Sequence, residues 1–494
     1  MENILSYIIF TPIGIAIILG AFRANITLLK LGAGFSSMVV FLLVAAVLIE
    51  FDPKGMMQFS QTLPWISSAG FSYHIGVDAL SLVLLLLITL LMPPLYIYMR
   101  KESKKGYWYN MMLLQTGVSG AIVSLDLVLF YLFWETMLLP IFIMIGKYGS
   151  GMHQFNAMKI LLMTILGSMS MLFSILYIGY IYFDTHGVWS FNLDDLRVLS
   201  LSAQTTSWLA AGFLLAFAIK IPLLGFHTWM APAYGSSPTP AVVILSAIMA
   251  KLGAYGIWRF GYSLFEEVLI FYMPYIIFVA ILGMFYYAVL AISENNLRKM
   301  FAYASGSHLS LIALGVILSN SYAWTGSLYF IATHALASSG IFIMIGLTYK
   351  RFHTIEISEL GGLAKKLPVF TFFFGFFALS AVGLPGTGGF VAELLIILGA
   401  FKYHFFIGVL TAMTVLLAML YIFWMLQRTL FGKPNRSNEE ILVKDLNSTE
   451  ILMLSPLVVL LLLTGIAPSI FIPYIEPYIL HSLAELTPFV LEAK

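Results

Sequence analysis

Ionisable side chains inside long apolar stretches are the first candidates for chemistry in this sequence. The set comprises two glutamates, two lysines and three histidines: Glu135, Lys220, His227, Lys251, His308, His334 and Glu393. A charged group at the centre of a bilayer costs ~2.5–3.5 kcal/mol or more, so it faces a protein interior or a hydrated cavity. Carboxylates, amines and imidazoles in that setting can take up and release protons. The pattern predicts proton transfer across a membrane, and the alternative is a set of structural ion pairs between helices.

Two of these charges lie beside residues that interrupt helices. Lys220 lies in AIKIPLLGFHTW and Glu393 follows GLPGTGGFVA, so each charge is within a few residues of proline and glycine. Proline removes a backbone donor, and irregular backbone at membrane depth is tolerated only where protein or water satisfies it. Broken helices in the two halves of a chain are a pointer to a transport site. The alternative is that these residues only shape the packing of helices.

The elements that carry these residues are predicted to be membrane helices. The chain has 494 residues, of which 61% are hydrophobic and 10% are charged, whereas soluble domains carry about 25% charged residues. A span needs roughly 20 apolar residues. The apolar runs predict fourteen helices, near residues 4–22, 27–49, 76–99, 107–124, 126–146, 157–183, 205–225, 239–261, 268–292, 301–319, 324–348, 368–400, 404–430 and 451–474. The first is expected to be a retained helix rather than a signal peptide.

The distribution of basic residues predicts the orientation of these helices. Alternate connections on one side hold 18 of the 25 lysines and arginines, including Arg436. The other side holds Lys54, Arg197, Arg259, Lys402 and Lys494. Basic connections stay in the cytoplasm, so both termini are expected outside. The net charge of +2 favours no nucleic-acid partner.

The residue types limit the cofactors that the chain is expected to bind. There is no cysteine, which excludes disulfides and cysteine-ligated iron–sulfur clusters. The sequence holds no dinucleotide-binding fingerprint after a strand and no phosphate loop. Haem ligation by the buried histidines is the alternative, because imidazole is a haem ligand. We expect no cofactor and no metal on this chain.

Several segments together resemble one protein family. The segments that carry the resemblance are IGVDALSLVLLLL, FYLFWETMLLPIFIMIGKYG, AFAIKIPLLGFHTWMAP, PTPAVVILSAIMAKLGAYGIWRF, RKMFAYASGSHLSLI, ATHALASSGIFIMIG and ALSAVGLPGTGGFVAELLIILG, within residues 75–400. They are similar to the antiporter-like membrane subunits of respiratory complex I, and most similar to the M (chain 4) type. The resemblance implies an all-α membrane protein of about fourteen transmembrane helices, with two inverted five-helix repeats that contain broken helices.

The resemblance also implies a division of the chain and roles for its residues. Four segments are expected: residues 1–106 with three helices, 107–261 and 262–431 with one repeat each, and 432–494 with the last helix. Proton translocation would use Glu135, Lys220, Lys251 and Glu393, with His308 and His334 as a relay. Glutamate at 393 is typical of the M type, whereas the L and N types and the D-type subunit of sodium/proton antiporters usually carry lysine there. One departure is Met230 to Tyr234, where the family usually has Leu-Pro-Asp-Ala-His.

The expected setting follows from the same resemblance. Membrane subunits of the L, N, K, J, A and H types would be partners in a lipid bilayer, and NADH, quinone, FMN and iron–sulfur clusters would be bound by partner subunits. A bacterial inner membrane is the expected location. Two alternatives stay open, a D-type subunit of a multi-subunit sodium/proton antiporter and a membrane scaffold whose buried charges only hold helices together.

Overall fold

A computed structural model of the protein describes residues 3–433 and 443–492, with side chains as far as residue 486. Among these residues, ten helices are long and apolar enough to cross a membrane, and one of the ten, residues 239–293, covers two of the predicted runs. The expected helical membrane protein is therefore confirmed, while the count of fourteen stays a prediction. Arg436 and Lys494, which entered the prediction of orientation, lie outside the described residues.

The first of two compact units contains residues 1–221, 251–274 and 474–494. Its helices are α1 (Ile4–Ala21), α2 (Ile26–Glu50), α3 (Ala79–Tyr98), α4 (Lys105–Val123), α5 (Leu127–Thr136), α6 (Leu138–Tyr148), α7 (His153–His186), α8 (Leu193–Leu196), α9 (Ala203–Lys220) and α12 (Lys251–Gly256). A π-helical turn follows α12 at Ile257–Gly261. Short connections between long apolar helices make consecutive helices antiparallel neighbours.

The second unit contains residues 222–250 and 275–473. Its helices are α10 (Met230–Ser236), α11 (Thr239–Ile244), α14 (Leu297–Ile317), α15 (Ser321–Phe352), α16 (Leu363–Lys366), α17 (Pro368–Ala381), α18 (Gly388–Tyr403), α19 (Phe405–Thr429) and α20 (Ser448–Ile466). A π-helical turn follows α11 at Leu245–Met249. Two helices, α13 (Tyr262–Ser293) and α21 (Ile472–Glu492), contribute residues to both units.

These units do not coincide with consecutive stretches of sequence. The first unit takes its residues from three separate stretches and the second from two. The prediction of four segments, residues 1–106, 107–261, 262–431 and 432–494, was based on expected repeats and not on compact units. It therefore stays a prediction.

A two-stranded antiparallel sheet lies between α2 and α3 in the first unit. Strand β1 (Gln58–Ile66) pairs with β2 (Phe71–Val77), and Gly70 at the connection has a φ of +71°, which a glycine adopts without steric cost. The apolar runs of the sequence did not predict this hairpin, because its strands are much shorter than a membrane-spanning helix.

Both predicted helix interruptions are present. Helix α9 ends at Lys220 and α10 begins at Met230, while α17 ends at Ala381 and α18 begins at Gly388. Left-handed backbone marks the two connections, at Gly225 with φ +97°, and at Gly383 and Gly386 with φ +69° and +92°. Glycine takes these angles without strain. The prediction of broken helices at Lys220 and Glu393 is confirmed.

Burial differs strongly among the helices. In the most apolar stretches of α14 and α15, 94% of residues are buried, whereas in those of α1 and α2 the shares are 28% and 33%. Helices α14 and α15 carry many buried hydroxyls, such as Ser305, Ser310, Ser327 and Ser339. Helices inside the protein therefore carry polar groups that a face turned to lipid would not accommodate.

Candidate functional site

Glu135 lies at an interruption of its own helix. Helix α5 starts after Asp126, whose carboxylate accepts the N–H groups of Val128 and Leu129 at 2.9 and 3.0 Å, and it ends at Thr136. Pro140 lacks the N–H that would bind the carbonyl of Thr136. Glu135 is half-buried, and its Oε1 has no hydrogen-bond partner among the described residues. The carboxylate is therefore held at a break, without a fixed partner.

Lys220 is the last residue of α9. Its side chain is 3% exposed, and Nζ lies 4.5 Å from the ring centre of Trp134, a cation–π contact. Among the described residues Nζ has no hydrogen-bond acceptor. The charge of Glu135 acts on Lys220, but the described residues show no salt bridge between them. Lys220 is thus a buried cation close to a carboxylate but not bonded to it.

Lys251 lies between two π-helical turns. It is fully buried at 0% exposure and is the first residue of α12, with Leu245–Met249 before it and Ile257–Gly261 after it. Single π-turns inside helices occur frequently at functional sites. A β-carbon added to Gly253 or Gly256 would collide with Ile221 or Phe217. The glycines therefore let α12 pack closely against the end of α9, which carries Lys220.

The second unit brings two of the predicted histidines together. His308 on α14 and His334 on α15 are 5% and 3% exposed, and their rings lie 5.2 Å apart in an edge-to-face arrangement. Phe330 packs against both rings, at 5.5 and 5.7 Å. His227 is half-buried and packs instead against Tyr286 and Tyr287, at 5.2 and 5.3 Å.

Glu393 is a buried carboxylate in the same unit. It is 4% exposed, lies in the second turn of α18, and forms no salt bridge among the described residues. A β-carbon on Gly383 would collide with its Oε2. The charge of Glu393 acts on Tyr421. The absence of a side chain at Gly383 therefore leaves the space that the carboxylate of Glu393 occupies.

A further buried charge pair was not predicted. Arg259 was counted among the basic residues of the outer connections, but it is 7% exposed and lies in the π-turn after α12. Its Nη2 donates to Asp78 Oδ1 at 2.5 Å, and its Nε donates to Tyr255 Oη at 3.3 Å. The signal in the sequence was that the apolar run continues through Phe260.

Asp78, at the start of α3, receives further hydrogen bonds. It accepts from the backbone N–H of Ser81 at 3.0 Å and from its hydroxyl at 2.8 Å. Burial by itself would raise the pKa of Asp78, but the charge and hydrogen bond of Arg259, with the bonds from Ser81, hold that pKa below its ordinary value. The carboxylate of Asp78 is therefore bonded both to Arg259 and to Ser81, as in an ion pair with a structural role.

The described residues contain no group of three or more His, Asp or Glu side chains that could hold a metal ion. The His308–His334 pair therefore stands as two imidazoles beside a phenylalanine ring. Imidazole side chains can both accept and donate protons.

Comparisons with known proteins bear on the whole chain. The family described as NADH:quinone oxidoreductase/Mrp antiporter matches residues 124–420. NADH-quinone oxidoreductase subunit M of Rickettsia felis is 33% identical over 446 residues, which is 88% of this chain and 88% of that protein.

Two solved structures share the fold of this chain. A chain of respiratory complex I from Thermus thermophilus with bound NADH matches with a TM-score of 0.88 and 28% identity, covering 98% of this chain and 99% of that one. A chain of the Mrp complex from Dietzia matches with a TM-score of 0.87 over 99% of this chain and 98% of that chain, at 20% identity. The second match shows a shared fold.

Proposed function

Because this chain belongs to the NADH:quinone oxidoreductase/Mrp antiporter family, we propose that it is the M-type, proton-translocating membrane subunit of an NADH:quinone oxidoreductase. The relatives that support the subtype are named NADH-quinone oxidoreductase subunit M. Glutamate at position 393 agrees with that subtype.

The observation that carries the proposal is the unbonded state of Lys220. Burial disfavours its charged form, and a nearby carboxylate favours it, so the two effects oppose each other. In this structure Glu135 acts on Lys220 without a salt bridge. A closer approach of Glu135 would hold a proton on Lys220, and a withdrawal would release it. Energy supplied elsewhere in the complex would drive that movement.

The proposed order of proton transfer uses the other buried groups. Lys251 would accept from Lys220, His308 and His334 would relay, and Glu393 would release the proton. A carboxylate suits release, because a hydrated glutamate is ionised at neutral pH. His227 has no part in this order.

The redox chemistry would belong to partner subunits. A chain without cysteine offers no thiolate for an iron–sulfur cluster, so NADH, FMN, the clusters and quinone would be bound by other chains. The expected neighbours are the L, N, K, J, A and H types. The location would be a bacterial inner membrane with both termini outside, which the basic residues of the alternate connections support.

The test compares variants in inverted membrane vesicles driven by NADH. We expect Lys220→Ala and Glu393→Leu to reduce proton uptake roughly hundredfold, because a lost proton-transfer group costs at least that much. The matched control is Lys402→Ala, which removes an exposed lysine at the end of α18. Wild-type uptake in an assembled Lys220→Ala complex would refute the role of Lys220 and favour a scaffold.

The family description supports a second candidate, a D-type subunit of a sodium/proton antiporter. The wild-type vesicles distinguish the two candidates. Proton uptake that follows NADH oxidation supports the oxidoreductase, whereas uptake that follows only an imposed sodium gradient supports the antiporter.

A further inference from the structure

A groove lies at the end of α19 in the second unit, and no residue of the proposed proton path lines it. Its volume is about 390 Å³, within the range of pockets that hold small ligands. Five of its lining residues belong to the last two turns of α19 or follow them, and three belong to the segment after α15. The polar members are Ser358, Gln427, Arg428 and Lys433. Two of these are cations and none of the lining residues is acidic, so the groove favours an anion.

Arg428 is held in the groove by an aromatic ring rather than by a carboxylate. Its guanidinium carbon lies 4.4 Å from the ring centre of Trp424, which is one helical turn earlier. This cation–π contact orients the side chain, and Arg428 forms no salt bridge among the described residues. A guanidinium presents paired N–H donors that match the oxygens of a phosphate. Arg428 is therefore a positioned cation whose charge is not neutralised by an acidic side chain of the described part of the chain.

A tight turn after α19 places a second cation in the same groove. A β-carbon on Gly432 would lie 2.8 Å from the carbonyl oxygen of Arg428, so a larger residue would displace the turn. Lys433, the next residue, lines the groove together with Arg428. Ala364 of α16 donates its N–H to the carbonyl of Leu430 at 3.0 Å, and α16 carries two further exposed lysines. Positive charge is therefore concentrated at this end of α19.

The opposite wall of the groove is held in place by hydrogen bonds. The side-chain amide of Asn295 donates to the hydroxyl of Ser358 at 2.9 Å, and the backbone N–H of Ser358 donates to Asn295 Oδ1 at 3.0 Å. Asn295 also donates to one carboxylate oxygen of Glu356 at 2.9 Å, and Asn296 donates to the other at 2.7 Å. The carboxylate of Glu356 is thus bonded to two amides. This wall keeps its shape without a ligand, which lowers the cost of binding one.

An exposed apolar stripe on α19 leads to the groove. Its side chains are 40–62% exposed and are spaced three or four residues apart, so they share one face of the helix. The stripe consists of Met413, Leu416, Leu420, Phe423 and Trp424. Helix α19 is long and apolar enough to cross a membrane, and the stripe extends about 16 Å along it. That length is close to half of the roughly 30 Å of hydrocarbon in a bilayer, so the stripe has the depth of one leaflet and ends at two cations.

We propose that this groove binds the headgroup phosphate of an anionic phospholipid whose acyl chains lie along the apolar stripe of α19. Arg428 donates its paired N–H groups to the phosphate, and Lys433 adds a second positive charge. The amide of Gln427 donates to the headgroup. A lipid is the occupant that uses both parts of the surface, because a free phosphate would use the cations and leave the stripe uncovered. The proposal is independent of the proposed function.

The first measurement is native mass spectrometry of the full-length chain in detergent, titrated with phosphatidylglycerol or with phosphatidylcholine. One cation near an anionic lipid favours binding about fivefold, so the two cations should make phosphatidylglycerol bind roughly 20- to 30-fold more tightly than phosphatidylcholine. Arg428→Gln should weaken the binding of phosphatidylglycerol about fivefold. The matched control, Lys402→Gln, removes another cation that lies over an aromatic ring, that of Tyr322, and should leave the binding unchanged. If Arg428→Gln does not fold, Lys433→Gln, at an exposed position, takes its place with the same expectation.

The second measurement locates the lipid by cryo-electron microscopy of the purified native assembly in nanodiscs that contain phosphatidylglycerol. We expect headgroup density at Arg428 and Lys433, with chain density along Leu416 and Leu420. Equal affinity for the two lipids, or an equal loss in Arg428→Gln and Lys402→Gln, would overturn the proposal. So would a neighbouring protein chain that covers the stripe in the map. Displacement of phosphatidylglycerol by millimolar inorganic phosphate, with no chain density on the stripe, would show that the groove takes a free anion and would also overturn it.

Discussion

Two buried cations of the first unit meet their carboxylates in opposite ways. Arg259 bonds Asp78 at 2.5 Å, and Asp78 is further bonded by Ser81. Nζ of Lys220 lies over the face of Trp134, and neither this amine nor Oε1 of the nearby Glu135 has a hydrogen-bond partner among the described residues. We call the first pair closed, because its charges are bonded to each other, and the second pair open, because its charges are not. Both pairs lie inside the same compact unit.

The difference bears on the two interpretations that the sequence left open. A buried ion pair that only holds helices together needs short contacts and satisfied lone pairs to offset the loss of hydration. Arg259 and Asp78 meet that requirement. Lys220 and Glu135 do not, because the described residues show no salt bridge between them and the amine has the ring of Trp134 beside it instead. An open pair is an arrangement that suits proton transfer, because the proton affinity of Lys220 then depends on small movements of Glu135.

The largest predicted effect tests the closed pair. Asp78→Asn leaves the guanidinium of Arg259 buried without a counter-charge, which should destabilise the protein by roughly 3–5 kcal/mol. Glu135→Gln breaks no bond and should change stability by less than about 1 kcal/mol. The measurement is the thermal unfolding midpoint of the purified complex. Equal shifts for Asp78→Asn and Glu135→Gln would show that the two pairs do not differ.

A smaller effect tests the buried carboxylate of the second unit. Gly383→Ala forces a left-handed residue to carry a β-carbon, which costs about 1–2 kcal/mol, and that carbon would collide with Glu393. The expected result is a lowered unfolding midpoint and reduced proton uptake.

The control for that change is Gly375→Ala in α17. There an added β-carbon meets only one methyl group of Leu430, at 4.0 Å, and alanine in a helix interior is favoured by roughly 0.5–1 kcal/mol. If the two alanine variants behaved alike, the close approach of Gly383 to Glu393 would have no consequence.

The smallest predicted effect is the loss of stability from the Asp78–Arg259 pair at acidic pH. The pKa of Asp78 is lower in the folded protein than its ordinary value of 3.8, so its contribution is complete above that value and is lost as the pH falls through the lower, folded pKa. The stability difference between wild type and Asp78→Asn should stay constant from pH 8 to 5 and shrink only below about pH 4. Unfolding midpoints against pH measure this, and a difference that shrank near pH 6 would contradict it.

Much of this site followed from residue type and spacing. Lysine and glutamate inside apolar runs indicated Lys220, Lys251 and Glu393, and all three are at most 4% exposed. Proline and glycine beside them predicted the two helix breaks, because each of these residues has a definite effect on local backbone. Such signals are local and can be found in one sequence.

The features that the sequence did not reveal depend on contacts between distant residues. Arg259 looked like an end-of-helix charge because its partner, Asp78, lies 181 positions away. The π-turns around Lys251 have no distinctive composition.

The contrast in burial between α1 or α2 and α14 or α15 has a consequence for the evolution of the chain. Lipid tails adapt to any apolar shape, so wherever lipid covers the exposed surfaces of α1 and α2, leucine, isoleucine, valine and phenylalanine can replace one another at little cost. The interior around α14 and α15 is packed like a crystal, where one added or lost methylene is felt. Over long divergence, substitutions should accumulate first on the exposed faces of α1 and α2, and α14 and α15 should change mainly through compensating pairs of residues.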